Sequence, residues 1–202
     1  MKKLFLYSCL GLMWCNVSFA DTISDYEMAG AKLKISILEI MTIDQIKENI
    51  IGVDSYDPKY FQIKYIPDIN KYQNLDFNEY YLTIDSSDEI YPIASITAIK
   101  WFKTDFDACT KEQNIYANKF ERIFGIKKEV HPIKDFSDKY GPGSKWRAII
   151  YERPNFQKIK SDTASVLCYH YGTSPENDLF GSDNLKINIL TREYANTITI
   201  KN

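Results

Sequence analysis

The stretch from Thr104 to Gly125, TDFDACTKEQNIYANKFERIFG, leaves this chain fewer folding choices than any other part of it. Cys109, Tyr116, Phe120 and Ile123 recur at steps of seven, four and three, which puts them on one face of a 3.6-residue helix. Lys111, Asn114, Asn118, Glu121 and Arg122 fall mostly on the other face. Thr104 or Asp105 can accept hydrogen bonds from the free first-turn amides, and Asp107 sets negative charge at the positive end of the helix dipole. Gly125 supplies a left-handed stop. A helix with a single apolar face must bury it, and the flanking segments read as strands. The spacing therefore predicts a core helix laid on a sheet.

The first twenty residues, MKKLFLYSCLGLMWCNVSFA, read as an address rather than as structure. Lys2 and Lys3 precede an apolar run from Leu4 to Trp14, and Ser18 and Ala20 are small residues placed for a cut before Asp21. The run is short for a membrane span, so a secretory signal peptide, 1–20, is expected, cleaved after Ala20. Lipidation at Cys15 is disfavoured by the bulk of Trp14, and at Cys9 by the shortness of the run before it. Export, to the periplasm or the medium, removes Cys9 and Cys15. Cys109 and Cys168 remain, and in an oxidising compartment a lone pair is most simply a disulfide. The full sequence has a formal net charge of −2, and loss of Lys2 and Lys3 makes the rest more acidic. Without a basic stripe, nucleic acid is not an expected partner. No long apolar segment follows the leader, so no membrane span is expected in the mature chain.

The remainder, 21–202, reads as a single domain. Ile35 to Met41 looks like a short helix. Thr42-Ile43-Asp44-Gln45 has the form of a capping box for a second one, which Gly52 is expected to close. Tyr60 to Ile66, Tyr80 to Ile84 and Tyr91 to Phe102 read as strands, the last with Ile93, Ser95, Thr97, Ile99 and Trp101 on one face. After the long helix come a loop-rich connection from Ile126 to Ser144 and three more strands: Trp146 to Glu152, Thr163 to Tyr171 and Leu185 to Glu193. The segment Thr173 to Asp183 reads as loop, and the tail from Tyr194 as a short helix or a frayed strand. The expected fold is α+β: two helix-plus-three-stranded-meander units, 21–103 and 104–202, sharing an antiparallel sheet. Helices would cover one face and leave the other solvated or used for binding.

The opening of the mature chain, Tyr26-Glu27-Met28-Ala29-Gly30 through Ser36, Leu38, Glu39 and Thr42, resembles that of an uncharacterised family of small exported bacterial proteins. That family's pattern begins Tyr-Glu-x-x-Gly and continues into an acidic helix; Lys34 and Ile35 stand where it has Gly-Asp. The run from Ile96 to Ile123 and Val166-Leu167-Cys168-Tyr169 also look like the group, whose motifs carry no activity. A looser likeness, of architecture alone, is to β-lactamase-inhibitor-protein-like modules and small outer-membrane assembly lipoproteins, which act by binding protein.

Catalytic and metal signatures are not legible. His131 and His170 lie in different elements without a metal-ligand spacing, and His131 before Pro132 reads as a loop histidine. Ser144 and Ser182 lack a nucleophile motif, the paired aspartates suit caps and turns, and no glycine loop for phosphate is present. No catalytic residue, metal site or cofactor is assigned. His170 is read as facing away from the disulfide on the strand that carries Cys168. Aromatic residues make up 14% of the chain, fifteen of them Tyr. Strand propensity alone favours Tyr, yet clustered tyrosines also suit an interface. Tyr80, Tyr81, Tyr169, His170 and Tyr171 are therefore the candidate binding surface. The expected function is a non-catalytic binding module that engages another envelope or secreted protein. The alternatives are a small secreted hydrolase using His170 as base and a small-ligand carrier.

Overall fold

A computed structural model describes residues 23–72, 75–151, 161–172 and 183–200. The leader Met1–Ala20 lies outside the described residues, as does most of the Thr173–Asp183 loop.

Two single turns of 3-10 helix, Ile23–Asp25 and Ile37–Glu39, precede helix α1 (Ile43–Asn49), which runs directly into strand β1 (Ile50–Val53). Strands β2 (Tyr60–Tyr65), β3 (Glu79–Asp85) and β4 (Ile93–Trp101) form the first meander. Helix α2 (Phe106–Phe124) is followed by the short strands β5 (Glu129–Val130) and β6 (Lys134–Asp135) and the single turn α3 (Ser137–Tyr140). Strands β7 (Lys145–Tyr151), β8 (Thr163–His170) and β9 (Asn184–Leu190) make the second meander, and α4 (Arg192–Ile200) closes the chain. Among the described residues the strands form one sheet, ordered β1-β2-β3-β4-β9-β8-β7-β5, with β6 also paired to β7. Every pairing is antiparallel. The two meanders meet where β4 pairs with β9, from Ser95 opposite Leu190 to Trp101 opposite Asn184. The fold is α+β.

Helix α2 forms as its sequence dictates. Asp105 caps it by accepting from the Ala108 amide at 2.8 Å, and Gly125 ends it at a φ of 64°, where a side chain would be strained. Its buried face, which includes Phe106, Cys109, Tyr116 and Phe120, packs on β7, β8 and β9. The Cys109–Cys168 disulfide ties the helix to β8 across a Cα separation of 6.0 Å. Gln113, fully buried on the same face, donates from Nε2 to the carbonyls of Val166 (2.7 Å) and Arg147 (3.0 Å).

The first meander is covered differently. Both capping boxes are made, Ser36 with Glu39 and Thr42 with Gln45, but no residue of α1 is buried. The cover is the irregular segment 23–41, whose Ile23, Met28, Ala31, Leu33, Ile37 and Met41 enter the same core cluster as α2. Several local expectations change: the expected Ile35–Met41 helix is only the turn Ile37–Glu39, and the Ile126–Ser144 connection carries β5, β6 and α3. Gly52 does not close α1; it lies within β1, opposite Gln62, because the helix passes into the edge strand without a break. Ile93 leaves the face it was expected to share with Ser95. Thr83 pairs with Ser95 but Ile84 pairs with Ile93, so Ala94 is the extra residue of a bulge. One extra residue turns every side chain before it to the other side, and Ile93 is fully buried in the core.

Candidate functional site on the open sheet face

The face turned away from α2 carries the alternate residues of five neighbouring strands. From β3 come Glu79, Tyr81 and Thr83; from β4, Ser95, Thr97, Ile99 and Trp101; from β9, Asn184, Lys186, Asn188 and Leu190. Gln62 of β2 and Tyr169 of β8 complete the floor. Helix α4 lies over one end, where Tyr194 packs edge-on against Tyr60 at 4.8 Å and donates its hydroxyl to Asp54 Oδ2 at 2.6 Å. Thr191 starts that helix by accepting from the Tyr194 amide at 3.3 Å. At the other end Tyr140 meets the edge of Tyr171 at 5.3 Å, and Tyr171 stacks on Tyr169 at 6.2 Å with planes 9° apart. Between these ends lies a groove of about 760 Å³.

Its polar groups are ordered by one another. Thr97 donates to Asn188 Oδ1 at 3.0 Å, and Asn188 Nδ2 reaches Ser165 Oγ at 3.5 Å. Tyr81 donates to Glu79 Oε2 at 2.6 Å, while Lys64 holds the other oxygen of that carboxylate at 3.6 Å. Burial pushes the Tyr81 hydroxyl up to about 12, reinforced by Glu79, and pushes Tyr169 up to about 12, reinforced by Tyr171 and Tyr140. Both stay protonated across the physiological range. Lys186 stands in mid-groove with its Nζ 5.5 Å from the centroid of the Tyr169 ring, and desolvation lowers its pKa.

Of the five candidate surface residues, the structure brings Tyr81, Tyr169 and Tyr171 together on the groove and sends two elsewhere. Tyr80, next to Tyr81 in β3, points into the core and is 4% exposed. His170 lies on the α2 side of the sheet, the side of Cys168, with its ring 5.9 Å from that of Phe106. It therefore does not turn away from the disulfide: residues two apart on a strand share a face, and Cys168 and His170 are two apart. The residues that the sequence did not single out are Trp101, Asn188 and Lys186. The polar–apolar alternation of Asn184 to Leu190 carries that signal, but only the position of α2 says which set faces out.

On the α2 side, His170 Nδ1 is 2.8 Å from Oδ1 of Asp183, whose side chain is almost sealed from water. Burial raises the Asp183 pKa, and His170 and Lys145 pull against that rise. The Asp183 carbonyl accepts from the Phe102 amide at 2.8 Å, and its own amide donates to the Lys103 carbonyl at 2.5 Å. The backbone of Asp183 thus pins the end of β4 to the start of β9, and its side chain ties the end of β8 to the same point through His170. Ser144, immediately before β7, is engaged: its Oγ donates to the Tyr140 carbonyl at 2.8 Å and accepts from the Gly172 amide at 2.7 Å. His131 sits beside Glu129 at 3.5 Å. Among the described residues no three of His, Cys, Asp and Glu converge as a metal set, and no helix is long and apolar enough to cross a membrane. No protein-family model, no curated protein and no solved structure matches the chain.

Proposed function

We propose that this chain is an exported, non-catalytic binding module that holds another envelope or secreted protein against the open face of its sheet. The observation that carries the reading is the make-up of the groove. Tyrosines and a tryptophan stand over a floor of Ser, Thr and Asn, the mixture of rigid amphipathic rings and adaptable polar groups that protein-binding surfaces use. Export is supported by the Lys2–Trp14 leader pattern and by a fully buried disulfide, which suits an oxidising compartment.

A hydrolase built on His170 has one observation in its favour, the Asp183 carboxylate at its Nδ1. Against it, the pair lies on the α2 side of the sheet, across from the groove, and joins the end of β8 to the start of β9. A small-ligand carrier fits less well, since the floor bears Ser95, Thr97, Asn184 and Asn188 where such pockets are lined mainly by apolar side chains.

The test is site-specific photocrosslinking in cells that export the protein. A benzophenone side chain at Tyr81 or Trp101 should capture one shared partner, and the same group at Lys111, exposed on the outer side of α2, should not. Equal capture from all three positions, or none from the groove, refutes the reading. Substituting His170 with Ala should leave the capture intact.

A further inference from the structure

Lys186 occupies the centre of the central strand of this sheet. Its partners directly across β4 and β8 are Ile99 and Leu167, so its stem runs between two aliphatic side chains on the open face. The next residue along the same row is Glu79, opposite Ile99, and that carboxylate is already held by the Tyr81 hydroxyl and by Lys64. Among the described residues Lys186 forms no ion pair, and the ring of Tyr169 is the group that its ammonium faces. An ammonium drawn out of water between aliphatic neighbours, without a counter-ion, is costly unless a ligand brings the opposite charge.

From this arrangement, and resting on the reading of the groove as a protein-binding face, we infer that Lys186 is the receiving group for an Asp or Glu carboxylate that the partner protein inserts into the groove. Charge complementarity sets the anionic character: Lys186 is the floor cation without a described counter-ion, and the floor anion is already neutralised. The size of the groove favours a protein segment over a free carboxylate. Its floor runs from Gln62 of β2 to Tyr169 of β8, four inter-strand steps or about 20 Å. A small acid covers one residue of that span, whereas a loop or an extended segment fills it. The lowered pKa of Lys186 agrees with an ammonium that lacks its counter-ion.

Two measurements on the full exported chain test this. In the first, lysines carry a carbon-13 label at Cε and the Lys186 signal is followed while capped glutamate, N-acetyl-glutamate methylamide, is added. Capped glutamine, the neutral counterpart, is the control. The expected result is a saturable shift of Lys186 with capped glutamate and none with capped glutamine, together with a free Lys186 that titrates below the other lysines. A Lys186 that titrates with or above the other lysines is already hydrated or paired and overturns the inference, as does an equal response to both probes.

The second compares Lys186→Met and Lys186→Arg in the crosslinking from Tyr81. Loss of the charge should cut capture of the partner by at least about tenfold, and Arg should restore part of it. Capture unchanged in Lys186→Met overturns the role of Lys186 and leaves the groove reading standing. Saturable binding of capped glutamate with nothing captured from the groove overturns the protein occupant, and with it the reading on which the inference rests. The first measurement uses unsubstituted protein, so a folding defect in the Met variant leaves the inference open to refutation.

Discussion

Two carboxylates show how one residue type responds to opposite surroundings. Asp183 is sealed beside His170, and burial raises its pKa above the ordinary 3.8. The folded chain then holds that proton more tightly than the unfolded chain does. Its contribution to stability is complete below 3.8 and is lost as pH rises through the raised value. At Asp85, burial also pushes upward, but hydrogen bonds from Ser87 and the charge of Lys59 outweigh it and the net shift is downward. That contribution is present above 3.8 and is lost as pH falls through the lowered value. Asp183→Asn should therefore gain on the parent protein as pH rises from ~3 to ~7, while Asp85→Asn should lose ground over the same range. Urea unfolding of both variants across that range reads the two slopes, and slopes of the same sign would contradict the assignment. A neutral residue can matter as much. Gln113→Leu removes two donated bonds and the one its Oε1 accepts from Arg147, so a loss of about 2 kcal/mol is expected in the same unfolding measurement.

The elements differ in how openly the sequence declares them. Helix α2 is legible from end to end because its apolar spacing, its Asp105 cap and its Gly125 stop all agree. Six of the strands are legible from their alternation to within one or two residues at most of their ends, although β9 stops at Leu190, where Thr191 begins α4. The cover of the first meander is not legible. Segment 23–41 has no period, because Ala29, Gly30 and Lys34 take positive φ values and the chain winds over the core instead of repeating. The site was half legible for a related reason. Alternation says that Tyr80 and Tyr81 point to opposite sides, but only the seating of α2 decides which one is buried. The bulge at Ala94 moves Ile93 across the sheet without a mark in the sequence. At this scale the disulfide is the main staple. It joins residues 59 apart in sequence, and the chain-entropy relation gives about 4 kcal/mol as an upper value. Replacing Cys109 and Cys168 together by Ala should cost about 2–4 kcal/mol in urea unfolding, and reducing the parent protein should bring its midpoint close to that of the double variant.

Across the whole molecule, the question is whether two meanders make one folding unit or two. Three features cross the boundary between them. The β4–β9 pairing is as continuous as the pairings inside either meander, with seven residues matched from Ser95–Leu190 to Trp101–Asn184. A single core cluster holds Ile37, Ile63 and Leu82 from the first half together with Phe120, Val166 and Ile187 from the second. Helix α4, at the end of the chain, reaches back through Tyr194 to Asp54 and Tyr60 in the first half. A boundary so heavily bridged should leave neither meander a stable state of its own, because each would expose a core face and an open sheet edge. Tryptophans report on the halves separately: Trp101 ends β4 and Trp146 lies in β7. With Trp14 replaced by Phe throughout, one variant keeps only Trp101 and another only Trp146. Their fluorescence midpoints in urea should coincide with each other and with the loss of far-ultraviolet ellipticity. Separate midpoints would mean that the halves unfold in turn, and the groove, whose floor is drawn from both, would then open before the second half melts.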